Sequence, residues 1–365
     1  MVEMGIVGLE ERVNIEVQEF CRALVASAGL HRRKDDHQQP DHKRFDSRGD
    51  YEQDMLVCVT SGVSFLGLAI VDRLLHRGYS VRLIVDNQED AEIMREMRTS
   101  GTNSDRISAV IAKLTDTDVV ESLSHAFHGC RGVFHTSAFV DPAGLSGYTK
   151  SMAEIEVKAS ENVMKACAMT PSVRKCVLTS SLLACVWQDS SQNLNFSRVI
   201  NHNHWSSESL CIDKKLWYAL GKLRAEKAAW KIAEEKGLKL TTICPALITG
   251  PENSTRNPTA TLAYLKGAQE MYQSGVLATV DITRLAEAHV GVFEAMNKAA
   301  FGRYIWFDRV IDGEEEAEKL AEATGMSKNK ILGNGGSNVV HNRFELSNKK
   351  LTNLLTGRVH CSYHS

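Results

Sequence analysis

From residue 55 onward the chain alternates between short apolar runs and amphipathic stretches. Met55-Leu56-Val57-Cys58-Val59-Thr60 is a continuous apolar run that stops at a small-residue turn, Ser61-Gly62-Val63-Ser64. Such a run predicts a strand buried on both faces. Phe65 to Arg77 then carries Leu66, Ile70, Leu74 and Leu75 on one helical face, and Gly78 ends it. Val81-Arg82-Leu83-Ile84-Val85 is the second strand, with Asp86 at its end, and Ile107 to Ala112 the third. Helical spacing recurs over Asp116 to Phe127 and Tyr148 to Ala168, and Leu238 to Cys244 is again a strand. Strands alternating with helices predict an α/β fold, a doubly wound parallel sheet with helices on both faces.

Two segments, 186–214 and 251–279, are irregular or helical and lack this rhythm. The first 54 residues also stand apart. Leu9, Val13, Val17, Phe20 and Leu24 predict one amphipathic helix, followed by a charged, solvated and disordered linker over 31–54. His31, His37 and His42 have no compact metal-ligand spacing, and we assign no metal site. Glu314-Glu315-Glu316 predicts a solvated helix start, and the stretch around Gly333-Asn334-Gly335-Gly336 a flexible loop.

Strand, small-residue turn, helix, strand and acid, in that order, make up a dinucleotide-binding unit. A helix N-terminus binds phosphate through its free N–H groups and its dipole. The turn over Ser61, Gly62, Ser64, Phe65, Leu66 and Gly67, entered from Thr60, is therefore the expected pyrophosphate seat. Asp86 is placed to accept from a ribose 2′-OH and to repel a 2′-phosphate, which argues for NADH.

Tyr218-Ala219-Leu220-Gly221-Lys222 lies in a helical stretch, and the i, i+4 spacing puts phenol and ammonium on one face. A lysine charge close by favours phenolate and lowers the tyrosine pKa, which makes the phenol a usable proton donor near neutral pH. Ser181 closes the apolar run Cys176-Val177-Leu178-Thr179-Ser180, where its hydroxyl can hold a substrate oxygen. Ser181, Tyr218 and Lys222 are the expected catalytic set.

On these residues the chain resembles the extended short-chain dehydrogenase/reductases. The resemblance is closest to plant cinnamoyl-CoA reductases and their relatives, with dihydroflavonol reductases next, and runs from about residue 55 to 356. Gly132-Val133-Phe134-His135-Thr136 resembles the family's fourth strand beside the cofactor. Thr179-Ser180-Ser181 resembles its catalytic-serine strand, and Lys215-Leu216-Trp217-Tyr218-Ala219-Leu220-Gly221-Lys222 its Lys-Asn-Trp-Tyr-Cys-Tyr-Gly-Lys signature. Pro245-Ala246-Leu247-Ile248-Thr249-Gly250-Pro251 is similar to the segment that closes over the nicotinamide. Val280-Asp281-Ile282, Ala286-Glu287-Ala288-His289 and Phe344 to Leu351 match late motifs.

The resemblance implies a Rossmann-type NAD(P)-binding domain over 55–358. The substrate lobe would come from 186–214, 251–279 and the C-terminal part. It implies NADPH as cofactor, held by the turn residues, Thr136, Tyr218, Lys222 and Pro245. A phenylpropanoid-type acyl-CoA reduced to an aldehyde is the implied reaction. An aldehyde or ketone reduced to an alcohol, as in dihydroflavonol reductases, fits the same residues. For an acyl-CoA, His202, His204, Lys214, Arg256 and Lys266 are candidate phosphate partners, and Trp187, Trp205, Tyr264 and Tyr272 candidate aromatic walls.

Departures from the family pattern fall on the cofactor side. The family turn Thr-Gly-x-x-Gly-Phe-x-Gly reads Thr60-Ser61-Gly62-Val63-Ser64-Phe65-Leu66-Gly67 here. Lys113 stands where relatives have an aspartate near adenine, and Lys158 where they often have a helix asparagine. These changes support a second reading, a non-catalytic or weakly active nucleotide- or metabolite-binding protein. The intact Ser-Tyr-Lys set favours the enzyme.

Composition narrows the setting. A 43% hydrophobic content suffices for a large core, and a net charge of −2 gives no field for nucleic acid or anionic membrane. Nine cysteines without a Cys-x-x-Cys pair suit a reducing compartment. No apolar run reaches membrane-span length, and the acidic N-terminus does not resemble a signal or transit peptide, so a cytoplasmic location is expected. The partner expected is a small-molecule substrate; monomer and homodimer are both open.

Overall fold

The computed structural model describes residues 55–92, 104–116, 118–136, 148–189, 198–250, 258–333 and 343–357. The expected N-terminal helix and linker, Arg256 and most of the glycine-rich loop lie outside the described residues.

Seven strands form the central sheet: β1 (Leu56–Thr60), β2 (Ser80–Val85), β3 (Ile107–Ile111), β4 (Gly132–His135), β5 (Lys175–Thr179), β6 (Lys239–Pro245) and β7 (Gly302–Trp306). All neighbours pair in parallel, in the order β7-β6-β5-β4-β1-β2-β3. The chain winds outward from β1 to β3, returns to β4 on the other side of β1, and winds outward again. That reversal opens a crevice at the carboxyl ends of β1 and β4, where open α/β sheets bind ligands.

The helices that frame the site are α1 (Phe65–His76), α2 (Val119–Phe127), α3 (Lys150–Met169), α4 (Trp217–Lys236) and α5 (Ile282–Ala295). Strand alternation assigns them to two faces. Val57, Val59, Phe134 and Val177 point into one buried cluster with Leu68 and Ile70 of α1 and Phe293 of α5. Cys58, Val133, Cys176 and Leu178 point into the other, with Leu123 of α2, Ala159 and Val163 of α3 and Ala229 of α4. Cys58, Cys176 and Cys244 are buried free thiols, as expected of small apolar core residues.

Helix boundaries fall close to those expected. Ser64 caps α1 and Gly78, at φ 88°, follows its end. Helix α3 starts after a Thr149 cap, and Gly237, in the left-handed conformation, ends α4. Glu314–Thr324 is a helix with three glutamates in its first turn, complementing the dipole there.

Smaller elements cover the C-terminal part of the sheet. Leu247–Thr249, Ala278–Asp281 and Arg309–Val310 form a three-stranded sheet, and Val199–Ile200 pairs with Glu345–Leu346. That last pair brings a two-residue strand into the 186–214 segment, which sequence rhythm had not indicated. Two residues cannot establish an alternation.

Candidate active site

The turn after β1 is closed from within. A Cβ on Gly67 would lie 2.3 Å from the Ser61 carbonyl oxygen, and one on Gly62 2.6 Å from Leu83 Cδ2. Both glycines are therefore required for the helix to start so close to the sheet. Ser61 has φ 52°, a left-handed conformation that glycine takes at no cost and serine does not. Ser64 Oγ accepts the Gly67 N–H at 3.1 Å. The two serines thus act differently: one bears a backbone penalty and the other supplies a cap. The close-packed turn at a helix N-terminus, with an acid after β2, fits a dinucleotide. A phosphate would meet one N–H already engaged by Ser64.

Thr60 ends β1 opposite His135 of β4. The His135 ring bridges Thr60 Oγ1 (2.9 Å) and Ser160 Oγ of α3 (3.0 Å). Burial, and then the Lys222 charge, hold its pKa down at about 3, so the ring is neutral. Thr136 donates to the Thr60 carbonyl at 2.6 Å and locks the two strand ends together.

Asp86 is exposed beyond β2. Partial burial raises its pKa, the Lys113 charge opposes that, and Asp116 adds to it. Lys113 therefore sits within electrostatic reach of Asp86. Arg82 faces elsewhere and donates to the Ala126 and His128 carbonyls at 2.6 and 2.8 Å.

Tyr218 and Lys222 occupy the first turns of α4, with Lys222 Nζ 5.9 Å from the Tyr218 ring centre. The Tyr148 ring meets Tyr218 edge-on at 5.0 Å. Lys222 is 3% exposed and bonds Glu156 Oε1 of α3 at 2.6 Å. Burial opposes the Lys222 charge, but Glu156 and Tyr218 outweigh it, and its pKa is raised.

The expected lowering of the Tyr218 pKa does not occur. Burial pushes the phenol up, Lys222 pulls it down, and Glu156 pushes it up again. Sequence spacing supplied the ammonium, but neither the desolvation nor the counter-ion.

Ser181 is buried just past β5, where its Oγ accepts the Leu183 N–H at 3.2 Å. Leu182 N–H donates to the Pro245 carbonyl at 2.8 Å, so Ser181 and Pro245 share one end of the sheet. Ser180 Oγ donates to Glu226 Oε2 of α4 at 2.7 Å and ties this strand end to the helix that carries Tyr218 and Lys222.

Several expected contacts are placed otherwise. Lys158 is exposed on α3, and the residues of that helix facing the site are Glu156 and Ser160. Lys214 pairs with Glu270 at 2.6 Å, and Lys266 donates to the Lys215 carbonyl at 2.6 Å. The His202 and His204 carbonyls accept from Arg303, whose guanidinium lies 3.4 Å from the centre of the Trp205 ring. Trp187 and Tyr264 are buried. Sequence reading passed over Glu156, His135 and Ser160. A carboxylate in phase with Ala153, Ala159 and Val163 on an apolar helix face was the available signal for Glu156.

The fold and this grouping define a nucleotide-dependent reductase of the short-chain type, and comparison with known proteins agrees. Residues 58–299 match the 3-beta hydroxysteroid dehydrogenase/isomerase family. Cinnamoyl-CoA reductase 1 of Petunia hybrida is 35% identical over 272 residues, covering 73% of this chain and 77% of the relative. Tetraketide alpha-pyrone reductase 1 of Arabidopsis thaliana is 34% identical over 265 residues, covering 71% and 78%. Among solved structures, vestitone reductase from alfalfa superposes with TM-score 0.58 at 23% identity, covering 82% of this chain and 91% of that one. Yeast methylglyoxal/isovaleraldehyde reductase Gre2, complexed with NADPH, superposes with TM-score 0.60 at 20% identity, covering 83% and 93%. The chain belongs to the 3-beta hydroxysteroid dehydrogenase/isomerase family, within the extended short-chain dehydrogenase/reductases, and is an NAD(P)-dependent oxidoreductase. Among the described residues no helix is long and apolar enough to cross a membrane.

Proposed function

We propose that this chain reduces a carbonyl group, or the acyl carbon of a CoA thioester, on a phenylpropanoid-type substrate. A bound dihydronicotinamide would supply the hydride to that carbon. Tyr218 donates its phenolic proton to the carbonyl oxygen, and Ser181 orients that oxygen by hydrogen bonding. Lys222 holds the cofactor ribose and stabilises the phenolate left behind. With an aldehyde or ketone the product is an alcohol. With a thioester the substrate's tetrahedral adduct loses CoA thiolate, which takes up a proton, and an aldehyde remains.

The observation that carries the reading is the pairing of Tyr218 and Lys222 at the start of α4, beside the buried end of β5. The substrate class rests on the reductases at about one-third identity. Thr60, Ser61, Gly62, Ser64, Phe65, Leu66, Gly67, Thr136 and Pro245 would line the cofactor.

We read the cofactor as NADH. Asp86 is placed for a ribose 2′-OH, and Arg82 is committed to carbonyls on the far side. Among the described residues, Lys113 is the cation acting on Asp86 that a 2′-phosphate could recruit. The free buried cysteines suit a cytoplasmic setting.

The test is oxidation of NADH and NADPH in the presence of feruloyl-CoA and of simple aromatic aldehydes. Tyr218→Phe keeps the ring and removes the proton. It should lower turnover by roughly 10²- to 10⁴-fold with little change in dinucleotide affinity. Undiminished turnover in that variant removes Tyr218 as donor. No turnover of any carbonyl by a wild type that binds dinucleotide would favour the binding-protein reading, for which the Ser64 cap and the strained Ser61 are the supporting observations.

A further inference from the structure

Glu156 is 2% exposed on a helix face otherwise lined by Ala153, Ala159 and Val163. Its partner Lys222 reaches it because α3 and α4 approach closely. A Cβ on Gly221 would lie 3.0 Å from Ala153 Cα. The 2.6 Å contact between Lys222 Nζ and Glu156 Oε1 is therefore fixed by small residues on both helices. One turn further along α3, Ser160 bonds His135, so the same helix face meets the cofactor-side strand ends.

We infer that Glu156 is a positioning residue that makes the Tyr218–Lys222 pair electrically neutral and so keeps Tyr218 as a phenol, the form that donates a proton. This rests on the reading of Tyr218 as donor. Phenolate at Tyr218 would face a buried carboxylate as a like charge, while the ammonium that stabilises it is shared with that carboxylate. Among the described residues, the groups facing the pair are Tyr148 just before α3, His135 from β4, and Tyr264 from the helix Pro258–Tyr264. His135 is neutral and both tyrosines hold their protons more tightly than usual. Among the described residues, the charges acting on Tyr218 are those of Lys222 and Glu156. A site that holds phenol over a wide pH range favours the rate of reduction, where the tyrosine gives a proton. Alcohol oxidation needs phenolate, and its rate is disfavoured at the same pH.

The test is the titration of Tyr218 itself, followed by the NMR shift of ¹³Cζ-labelled tyrosine and assigned with Tyr218→Phe. It needs no substrate. Glu156→Gln removes the carboxylate charge with nearly the same shape. The Tyr218 midpoint should fall by about one pH unit or more relative to wild type. The alkaline limb of the reduction rate should move down with it. A midpoint that stays, rises or is out of range in both proteins overturns the inference. If the glutamine variant does not fold, Glu156→Asp withdraws the charge by one methylene and should give a smaller fall; an unchanged midpoint in folded Glu156→Asp has the same overturning force. Because the midpoint is read without turnover, its failure is distinguishable from failure of the reductase reading. A shifted midpoint in a protein that reduces nothing supports the role of Glu156 and sinks the activity.

Discussion

Glu226 is fully buried and accepts short hydrogen bonds from three residues, with the Cys244 thiol a longer fourth donor. Ser180 Oγ reaches it at 2.7 Å, Thr242 Oγ1 at 2.6 Å, and Arg303 at 2.8 Å through Nε and 3.1 Å through Nη2. It joins the residue after β5, the middle of β6 and the start of β7 to α4. Glu226→Gln keeps the shape but turns one acceptor oxygen into a donor. Two of the four bonds are lost at the least, and the Arg303 charge is left without its counter-ion. Bonds to charged groups contribute about 1.5–3 kcal/mol each, and breaking a buried pair by removing one partner costs about 3–5 kcal/mol. For a domain of this size that lowers the Tm by roughly 5–15 °C. Thermal unfolding followed by circular dichroism reads the change. Ser180→Ala, which removes a single bond, should cost about 1–3 kcal/mol. A second measurement separates pair from scaffold: adding Arg303→Leu to Glu226→Leu should cost less than the two single changes summed, because the stranded charge goes with its partner. A Tm within about 1 °C of wild type in Glu226→Gln, or strict additivity in the double variant, would refute the argument.

Three further outcomes are expected. Ser61→Gly should raise stability by up to about 1 kcal/mol, since the left-handed strain of about 1–2 kcal/mol exceeds the added chain entropy of glycine; denaturant unfolding decides, and a loss of stability would show that the Ser61 hydroxyl makes a contact of its own. Asp86→Arg should shift preference toward NADPH in calorimetric titration, and wild type binding NADPH more tightly than NADH would reverse the assignment. Stability should fall as pH drops below 6.5. His289 is buried, donates from Nδ1 to the Leu285 carbonyl and accepts from the Thr179 hydroxyl at Nε2, both at 2.8 Å, and is held down at about 4, so the unfolded chain takes up a proton the folded one refuses. The His289 share begins near pH 6.5, reaches about 2 kcal/mol at pH 5 and levels off below 4, and His135, held at about 3, adds a similar share; His289→Gln should remove its own part of the slope, and a slope unchanged in that variant would assign it to other groups.

Most of the parallel sheet was legible because its inner strands are largely apolar runs and its helices show one stripe; Gly302–Trp306, which carries Arg303, was not read from the sequence. The placing of Tyr218 and Lys222 was legible for a related reason, since i, i+4 spacing is a property of the helix alone. What could not be read was anything set by contact between distant segments. Glu156 and Lys222 meet only because Ala153 and Gly221 let two helices close up. Lys158, at the position where relatives often have an asparagine, sits two residues along the same helix and is exposed. Arg82 is likewise set by a distant segment: its guanidinium is held by the Ala126 and His128 carbonyls at the end of α2.

The two serines of the turn now have separate explanations. Ser61 bears a conformational cost of about 1–2 kcal/mol that glycine would not. Ser64 supplies an N-cap bond, and such caps contribute about 0.5–2 kcal/mol. Against glycine at both positions the Ser61 strain outweighs the Ser64 cap, which exceeds a glycine N-cap by only a few tenths of a kcal/mol, so the turn is somewhat less stable than a glycine-rich one. A glycine turn leaves its helix N–H groups to the ligand. Here the Gly67 N–H already has an acceptor, and a pyrophosphate gains less from that group than it would from an uncapped end. On the other side of the crevice, Glu156 takes up part of the ammonium that a ribose would use. Both devices act in one direction. They stabilise the ligand-free protein at the points where dinucleotide would bind, which predicts weaker cofactor binding than an uncapped, unpaired site would give, while leaving the proton donor in its reducing form.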